Sequence, residues 1–242
     1  MILTRQRRAP VVAAAVALSG LLLSGCGSLG IHPGAAATVG DRTVSMSTID
    51  DTTTSFCKAY VAQSQTSQQG QSGPIPMGAF RSYVASSLAK RMLGQELLDE
   101  YSVQPASGYQ AAVAQYHQAL ATAPPDELAA VVQVAAADAY LQNVQVSIGQ
   151  QLTGNTGQTT ADTKAQLQRG QVATQDWLND NSVHIDPVFG ISVDGGKFTT
   201  GQRAQTSYAV SALAKGGVEA GTSQQGPPAS YTSALPASQL CQ

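Results

Sequence analysis

Two serine–lysine pairs have the spacing that covalent acyl chemistry requires. Ser55 precedes Lys58 and Ser87 precedes Lys90, so in a helix each lysine would lie one turn from its serine. Penicillin-binding enzymes acylate such a serine with the help of Ser-Asp-Asn and Lys-Thr-Gly sequences, neither of which occurs in this chain. Both pairs fall inside predicted amphipathic helices, where serine and lysine usually face solvent. We therefore predict that neither pair is catalytic.

Other residues capable of acid–base, metal or phosphate chemistry are scattered along the chain. The histidines, His32, His117 and His184, have no second ligand three or four residues away, so no zinc site is predicted. The adjacent acids Asp99-Glu100 and Asp126-Glu127 would point to different helix faces, which suits capping and solvation better than paired carboxylate chemistry. Neither a glycine-rich phosphate loop nor a Gly-x-Ser-x-Gly sequence is present. The sequence predicts no enzyme activity, no metal and no cofactor.

Cys26 is the residue for which a chemical modification is most clearly indicated. It follows a basic stretch, "MILTRQRRAP", and then the uncharged run Val11–Leu23, the two parts of a secretory leader. That run is shorter than the roughly 20 apolar residues of a spanning helix. Small residues, Ser24 and Gly25, stand directly before the cysteine. One interpretation is an ordinary leader with an incidental cysteine.

The other interpretation is lipid attachment, because Leu23-Ser24-Gly25-Cys26 resembles a bacterial lipobox. In that motif a diacylglyceryl group is added to the thiol and a peptidase cleaves just before the cysteine. Each buried CH₂ contributes about 0.8 kcal/mol, so two acyl chains provide stable anchoring. We expect residues 1–25 to be a removed signal, residues 26–36 a tether, and the protein to be held on the extracytoplasmic face of the cell membrane.

The composition of the remaining chain limits its partners. Removing the three arginines of the leader changes the formal net charge from −2 to −5, since 10 basic residues then face 15 acidic ones. A mildly acidic chain without a basic stripe is not expected to bind nucleic acid. Only 5% of residues are aromatic and 12% are charged, while alanine, glutamine, serine and threonine abound. This composition favours helices packed around a thin core of small side chains.

Two further cysteines, Cys57 and Cys241, remain once Cys26 carries lipid. In an oxidising compartment they can pair with each other. The alternative is a buried, reduced Cys57 and an exposed Cys241 near the chain end. We favour the disulfide, which would also hold an otherwise weakly ordered tail.

Apolar residues spaced three and four apart predict a series of amphipathic helices. The first begins at Ser47, three residues before Asp50, and its stripe includes Phe56 and Tyr60. A polar loop is predicted over residues 63–76. Four more helices are expected over 77–101, 109–120, 125–152 and 160–180.

Short extended segments and a polar tail complete the prediction. Residues 37–39 and 43–44 form two strands around the turn Gly40-Asp41, and residues 183–193 form a late strand. Residues 201–242 are expected to be a low-complexity tail, with the segment 216–239 typical of disorder.

The stretch "TVGDRTVSMSTID" resembles the opening of the SurA-type N-terminal domains of extracytoplasmic chaperones. Val39, Gly40, Asp41, Val44 and Ser47 occupy the matching positions, although the asparagine that usually precedes the glycine is absent. In that family several amphipathic helices follow, and a late strand returns to pair with the first. "VHIDPVFG", over residues 183–190, stands where that strand would be, and its Asp-Pro-x-Phe-Gly resembles actinobacterial lipoproteins of this type.

The resemblance implies a mainly α domain over residues 37–200, with a short N-terminal β-hairpin paired with a late strand. It implies chaperone-like binding of unfolded or extended client polypeptides. Many relatives insert a parvulin isomerase domain, for which this chain has no room, so no isomerase activity is expected.

Tyrosines and methionines on the predicted helices are the candidate peptide-binding residues, because such side chains adapt to varied partners. The candidates are Tyr83, Met92, Tyr101, Tyr109 and Tyr116. Met77 is a further adaptable side chain of the same kind. The competing interpretation is that these residues are simply core. The competing function is a structural or scaffolding envelope lipoprotein that binds partner proteins.

Overall fold

The computed structural model describes residues 34–66, 73–194, 196–200, 209–222 and 227–242. The predicted signal 1–25, the lipid-attachment residue Cys26, His32 and most of the tether 26–36 lie outside the described residues. All that follows concerns the described ranges.

A three-stranded antiparallel sheet contains the predicted hairpin and the predicted late strand. Strands β1 (Ala35–Val39) and β2 (Arg42–Ser45) are joined by a two-residue turn whose first residue, Gly40, has φ 54°. Glycine adopts this left-handed conformation without steric cost. Strand β4 (Val183–Ile185) pairs with the other edge of β1, giving the order β2–β1–β4. The expected pairing of a late strand with the first is confirmed.

Helices make up most of the described structure, which confirms the mainly α class. Their bounds are α1 Met46–Thr66, α2 Met77–Tyr101, α3 Gly108–Ala119, α4 Pro125–Ala135, α5 Ala137–Thr153, α6 Thr160–Asp180, α7 Ala212–Thr222 and α8 Ala229–Thr232. Helix α6 begins where the sequence predicts, because Thr159 and Asp162 form a reciprocal capping box. No helix in the described ranges is long and apolar enough to cross a bilayer.

Two smaller antiparallel pairs lie outside this sheet. Strand β3 (Ile75–Pro76) pairs with β7 (Leu240–Cys241) near the end of the chain. Strands β5 (Ile191–Asp194) and β6 (Lys197–Thr200) form a hairpin. The single late strand predicted over 183–193 is therefore two strands, separated by the 3₁₀ turn Pro187–Phe189.

The first helix differs from its prediction at both ends. It begins at Met46, and its first turn is capped by the Ser45 hydroxyl, which accepts a hydrogen bond from the Thr48 N–H at 3.1 Å. Ser47 is therefore inside the helix rather than its cap. The helix continues to Thr66, and β3 begins at Ile75, so the predicted loop 63–76 was too long.

The helix predicted over 125–152 is broken at Ala136, whose φ of −88° and ψ of 6° leave the helical region. Neither proline nor glycine marks this break in the sequence. The cause is tertiary packing: Val131 and Val132 of α4 lie in a cluster with Ala59 and Leu120, whereas Val144 and Ile148 of α5 lie in the main core. Two separate helices place both sets of side chains in their clusters, which one straight helix would not do.

The tail predicted as disordered is structured over residues 212–222 and 227–242. Besides α7 and α8 it contains the 3₁₀ turn Ala237–Gln239 and strand β7. Thr232 and Cys241 are buried. Composition misled the prediction because the order of this segment comes from a distant strand pairing and the Cys57–Cys241 disulfide, not from local propensity.

The closest helix contact is between α5 and α6, and two glycines permit it. A Cβ atom on Gly149 would overlap the carbonyl oxygen of Gln166, and one on Gly170 would overlap that of Gln145. Both glutamines are buried. The Gln145 side-chain amide donates to the Thr174 hydroxyl at 3.2 Å, and that hydroxyl donates to the Gly170 carbonyl at 2.8 Å. A small polar network thus occupies the line of closest approach.

The main core forms around this helix pair. Its buried members include Leu93 and Leu97 of α2, Val144 and Ile148 of α5, and Trp177 of α6. Many other buried positions are alanines, as the composition suggests: Ala36, Ala37, Ala59, Ala85, Ala89, Ala123, Ala136, Ala137 and Ala173. Small side chains bring the helices close and leave little tolerance for added volume.

Gly149→Ala and Gly170→Ala should each lower the free energy of unfolding by about 3 kcal/mol or more, which is the upper end of the range for substitutions that overpack a core. The obstructing atoms are backbone and cannot rotate away. Urea unfolding followed by circular dichroism measures the change. Gly78→Ala is the matched control: it is also helical, but nothing lies within 4 Å of its added Cβ. It should stabilise by up to about 1 kcal/mol. Equal stability of all three variants would contradict the packing described.

Candidate functional site

A shallow, open apolar cleft of about 370 Å³ lies between α1 and α2, beside β3. The side chains that line it carry no charge: Phe56, Tyr60, Ile75, Ala79, Phe80 and Tyr83. Pockets for organic ligands and peptide side chains are typically apolar, with a few polar groups that orient the ligand. The only polar atoms on these side chains are the two tyrosine hydroxyls.

Helical spacing and aromatic packing position the lining residues. Phe56 and Tyr60 are four residues apart on α1 and therefore share a face. Their ring centroids lie 5.6 Å and 5.4 Å from that of Phe80 on α2, and the Phe56 ring is 5.3 Å from that of Tyr83. The rings are tilted or edge-on, the geometry that aromatic pairs prefer. The cleft is therefore preformed by a connected set of rings.

Tyr83 lies at the mouth of the cleft, with 39% of its surface exposed. Burial of the remainder raises the pKa of its phenol above the ordinary value of 10.0. A hydrogen bond with Ser87 opposes this rise, and the nearby charge of Asp138 and the phenol of Tyr116 add to it. The hydroxyl is consequently neutral at physiological pH and can both donate and accept a hydrogen bond.

The Cys57–Cys241 disulfide closes the chain beside this cleft, with an S–S distance of 2.08 Å. The structure thus has the pairing favoured from the sequence. Cys57 follows Phe56 on α1, and Cys241 lies opposite Ile75 in the β3–β7 pair. Phe56 and Ile75 both line the cleft, so the end of the chain lies directly at its edge.

The five candidate residues from the sequence do not form one surface. Tyr83 lines the cleft. Met92 is buried in the main core and Tyr101 packs against it. Tyr109 packs edge-on against Tyr140 at 5.1 Å, and its hydroxyl accepts a hydrogen bond from Arg91 at 3.1 Å. The core interpretation therefore fits these three residues.

Tyr116 is exposed on α3 and is not among the residues that line the cleft. Phe56, Tyr60 and Phe80 were not predicted as binding residues, because an apolar helical stripe usually indicates core. Ile75 lies within the segment predicted as a polar loop. The proximity of Cys57 to two aromatic residues of α1 was the available signal, but only the pairing of β3 with β7 shows what lies beside them.

The lysines of the two Ser-x-x-Lys sequences form ion pairs with acids on neighbouring helices. Lys58 Nζ lies 2.7 Å from Glu127 Oε1, and Lys90 Nζ lies 2.6 Å from Asp138 Oδ1. Each lysine therefore joins its helix to a neighbouring helix. Within the described ranges, histidine, cysteine, aspartate and glutamate side chains form no group of three that could hold a metal ion.

A second cavity, of about 380 Å³, lies at the carboxyl end of α6 beside β4 and β5. Its lining is mostly polar and includes the side chains of Gln175, Asn179, Asn181 and Asp194. An apolar ligand would gain less there than in the aromatic cleft.

Comparison of the chain with protein-family models, with curated proteins and with solved structures found no match. The site must therefore be interpreted from its own geometry.

Replacing both Cys57 and Cys241 with serine should lower the free energy of unfolding by about 2–5 kcal/mol, the range for native disulfides. The two cysteines are 184 residues apart in sequence, so the disulfide closes a large loop in the unfolded wild type. The unfolded variant lacks this constraint and has more conformational entropy. Chemical denaturation under oxidising conditions measures the difference. The wild type in excess dithiothreitol should match the variant, and an unchanged unfolding midpoint would show that the disulfide does not constrain the chain.

Tyr83 should ionise at higher pH in the folded protein than in the unfolded chain, because burial raises its folded pKa. Its contribution to stability is then complete below the unfolded value and is lost as pH rises through the folded value. Phenolate absorbance of the wild type minus that of Tyr83→Phe gives the titration directly. A difference curve centred at the pKa of free tyrosine would contradict the partial burial of this ring.

Proposed function

We propose that this chain is an extracytoplasmic lipoprotein with a chaperone-like, peptide-binding role and no catalytic chemistry. A diacylglyceryl group on Cys26 would hold it on the outer face of the cell membrane. The helical body would bind apolar segments of unfolded or extended polypeptides in the cleft between α1 and α2.

The observation that carries the proposal is a preformed aromatic cleft with no charged lining residue, on a chain of low aromatic content. Burying apolar surface contributes about 25 cal/mol per Å², and it requires no particular sequence in the ligand. Aromatic side chains also offer this contact area with few rotatable bonds, so little entropy is lost on binding. Such a site suits a binder that must accept many different clients.

Two further features support the proposal. The opening hairpin and the returning strand resemble SurA-type domains in sequence, and β1 and β4 do pair. The lipobox-like sequence at Cys26 would keep the cleft beside the membrane, where newly exported chains emerge. A scaffolding lipoprotein would instead use the cleft to bind one folded partner protein.

Ala79→Glu tests the role of the cleft without removing a core side chain. Ala79 is exposed in the first turn of α2 and lines the cleft, so the new carboxylate would have to be desolvated when an apolar client binds. We expect the Kd for a fluorescent, permanently unfolded client to rise by about tenfold or more, equivalent to about 1.4 kcal/mol. Suppression of client aggregation should fall in parallel.

Ala161→Glu is the matched control, since Ala161 is exposed in the first turn of α6 and does not line the cleft. It places the same charge in the first turn of another helix and should leave binding unchanged. Equal effects of the two substitutions on Kd would show that clients do not bind in the cleft. A wild-type protein that neither binds unfolded clients nor suppresses their aggregation would favour the scaffolding function.

Cys26→Ala should release the protein from membranes. Mass spectrometry of the wild type isolated from a bacterial host should show a diacylglyceryl-modified residue 26 at the amino terminus, with residues 1–25 removed. The variant should lack this modification and fractionate away from the membrane. An unmodified thiol at residue 26 of the wild type would contradict the anchoring proposal.

A further inference from the structure

The C-terminal strap, defined as residues 227–242, ends in a strand that lies against the aromatic cleft. Strand β7 pairs with β3 in the register Ile75↔Cys241 and Pro76↔Leu240. It also contacts α1, to which Cys241 is joined through Cys57. The strap thus occupies the strand edge that belongs to the lining of the cleft.

The strand pairing by itself is short. It covers two residues, one of which is Pro76, and proline has no N–H to donate to the ladder. An isolated ladder of this length is marginal in water. The disulfide is the covalent bond that holds β7 beside β3 and α1.

We propose that β7 is a tethered occupant of the β3 strand edge beside the peptide-binding cleft, and that opening the disulfide makes this strand edge available to an extended client segment. The client would take the place of β7 beside β3 and insert side chains into the aromatic cleft. This inference rests on the proposed peptide-binding function and adds the mode of binding and its control.

The register of β7 indicates the kind of segment that fits. Residues opposite each other in an antiparallel pair point to the same face, and Cys241, opposite Ile75, points toward α1. A client residue in that position would lie beside Ile75 and Phe56, both of which line the cleft. Because side chains alternate along a strand, the fitting segment alternates apolar and small polar residues and carries no charge at the apolar positions.

The step that releases the strap is a thiol–disulfide exchange with a dithiol. The Cys57–Cys241 S–S bond takes two electrons and two protons and becomes two thiols, while the dithiol gives them up and becomes a disulfide. Cys241 is only 2% exposed, so the exchange requires the chain end to open first. The oxidised protein should therefore be the form in which β7 covers the edge of β3, while the aromatic cleft itself stays open.

The experiment compares one labelled peptide, an extended segment alternating leucine and threonine, across redox states of the full-length protein. Its Kd is measured by fluorescence anisotropy for the oxidised wild type, the wild type in dithiothreitol, and Cys57→Ser/Cys241→Ser under oxidising conditions. If β7 occupies the edge at least nine-tenths of the time, opening should lower the apparent Kd by about tenfold. A matched peptide with aspartate in place of leucine should not bind.

An unlabelled peptide with the sequence of residues 231–242, with serine in place of Cys241, gives a second measurement. It should compete with the labelled client on the opened protein. Circular dichroism checks folding, and if the serine variant is unfolded, Cys57→Ala/Cys241→Ala replaces it because Cys241 is buried.

The outcomes separate this inference from the proposed function. Tighter binding after opening, together with competition by the strap peptide, supports it. Equal Kd in all redox states, with Ala79→Glu still weakening binding, overturns the strap proposal and leaves the cleft function standing. Absence of peptide binding in every state overturns both.

Discussion

The close approach of α5 and α6 is the constraint on which the rest of the structure depends. Gly149 and Gly170 let the two backbones touch, which leaves the buried amides of Gln145 and Gln166 within the interface. That contact sets where α5 presents Val144 and Ile148 and where α6 presents Trp177. Helix α2 packs on this pair through Leu93 and Leu97, and α1 packs on α2. The aromatic cleft lies at the last of these contacts, so its position depends on the α5–α6 pair through α2.

Ion pairs also join neighbouring elements of this packing. Lys58 joins α1 to α4, and Lys90 joins α2 to α5. Arg42 of β2 reaches Glu96 and Asp99 on α2 at 2.9 Å and 2.6 Å. Partly exposed pairs of this kind contribute little to stability, typically below about 1 kcal/mol each. The free energy of folding comes mainly from burial of small apolar side chains.

The sequence predicted those parts of the fold that depend on local signals. The Gly40-Asp41 turn, the helix over residues 160–180 and the stripe over residues 77–101 all lie where their residue types indicate. Features that depend on distant partners were missed or misplaced. The residues around Ala136 do not indicate that the helix is broken there so that its two halves pack in different clusters. The composition of the tail does not indicate that β7 pairs with β3. Of the five predicted peptide-binding residues only Tyr83 lines the cleft, because a periodic stripe does not show which of its members will be covered.

Crosslinking in living cells tests most directly whether extended polypeptides bind in the aromatic cleft. A photoreactive benzoylphenylalanine at position 83, at the mouth of the cleft, is compared with one at position 172, which is exposed on α6 and does not line the cleft. We expect position 83 to crosslink apolar segments from several different exported polypeptides and position 172 not to do so. Crosslinks from position 83 to a single folded partner, or an identical pattern from both positions, would contradict this expectation.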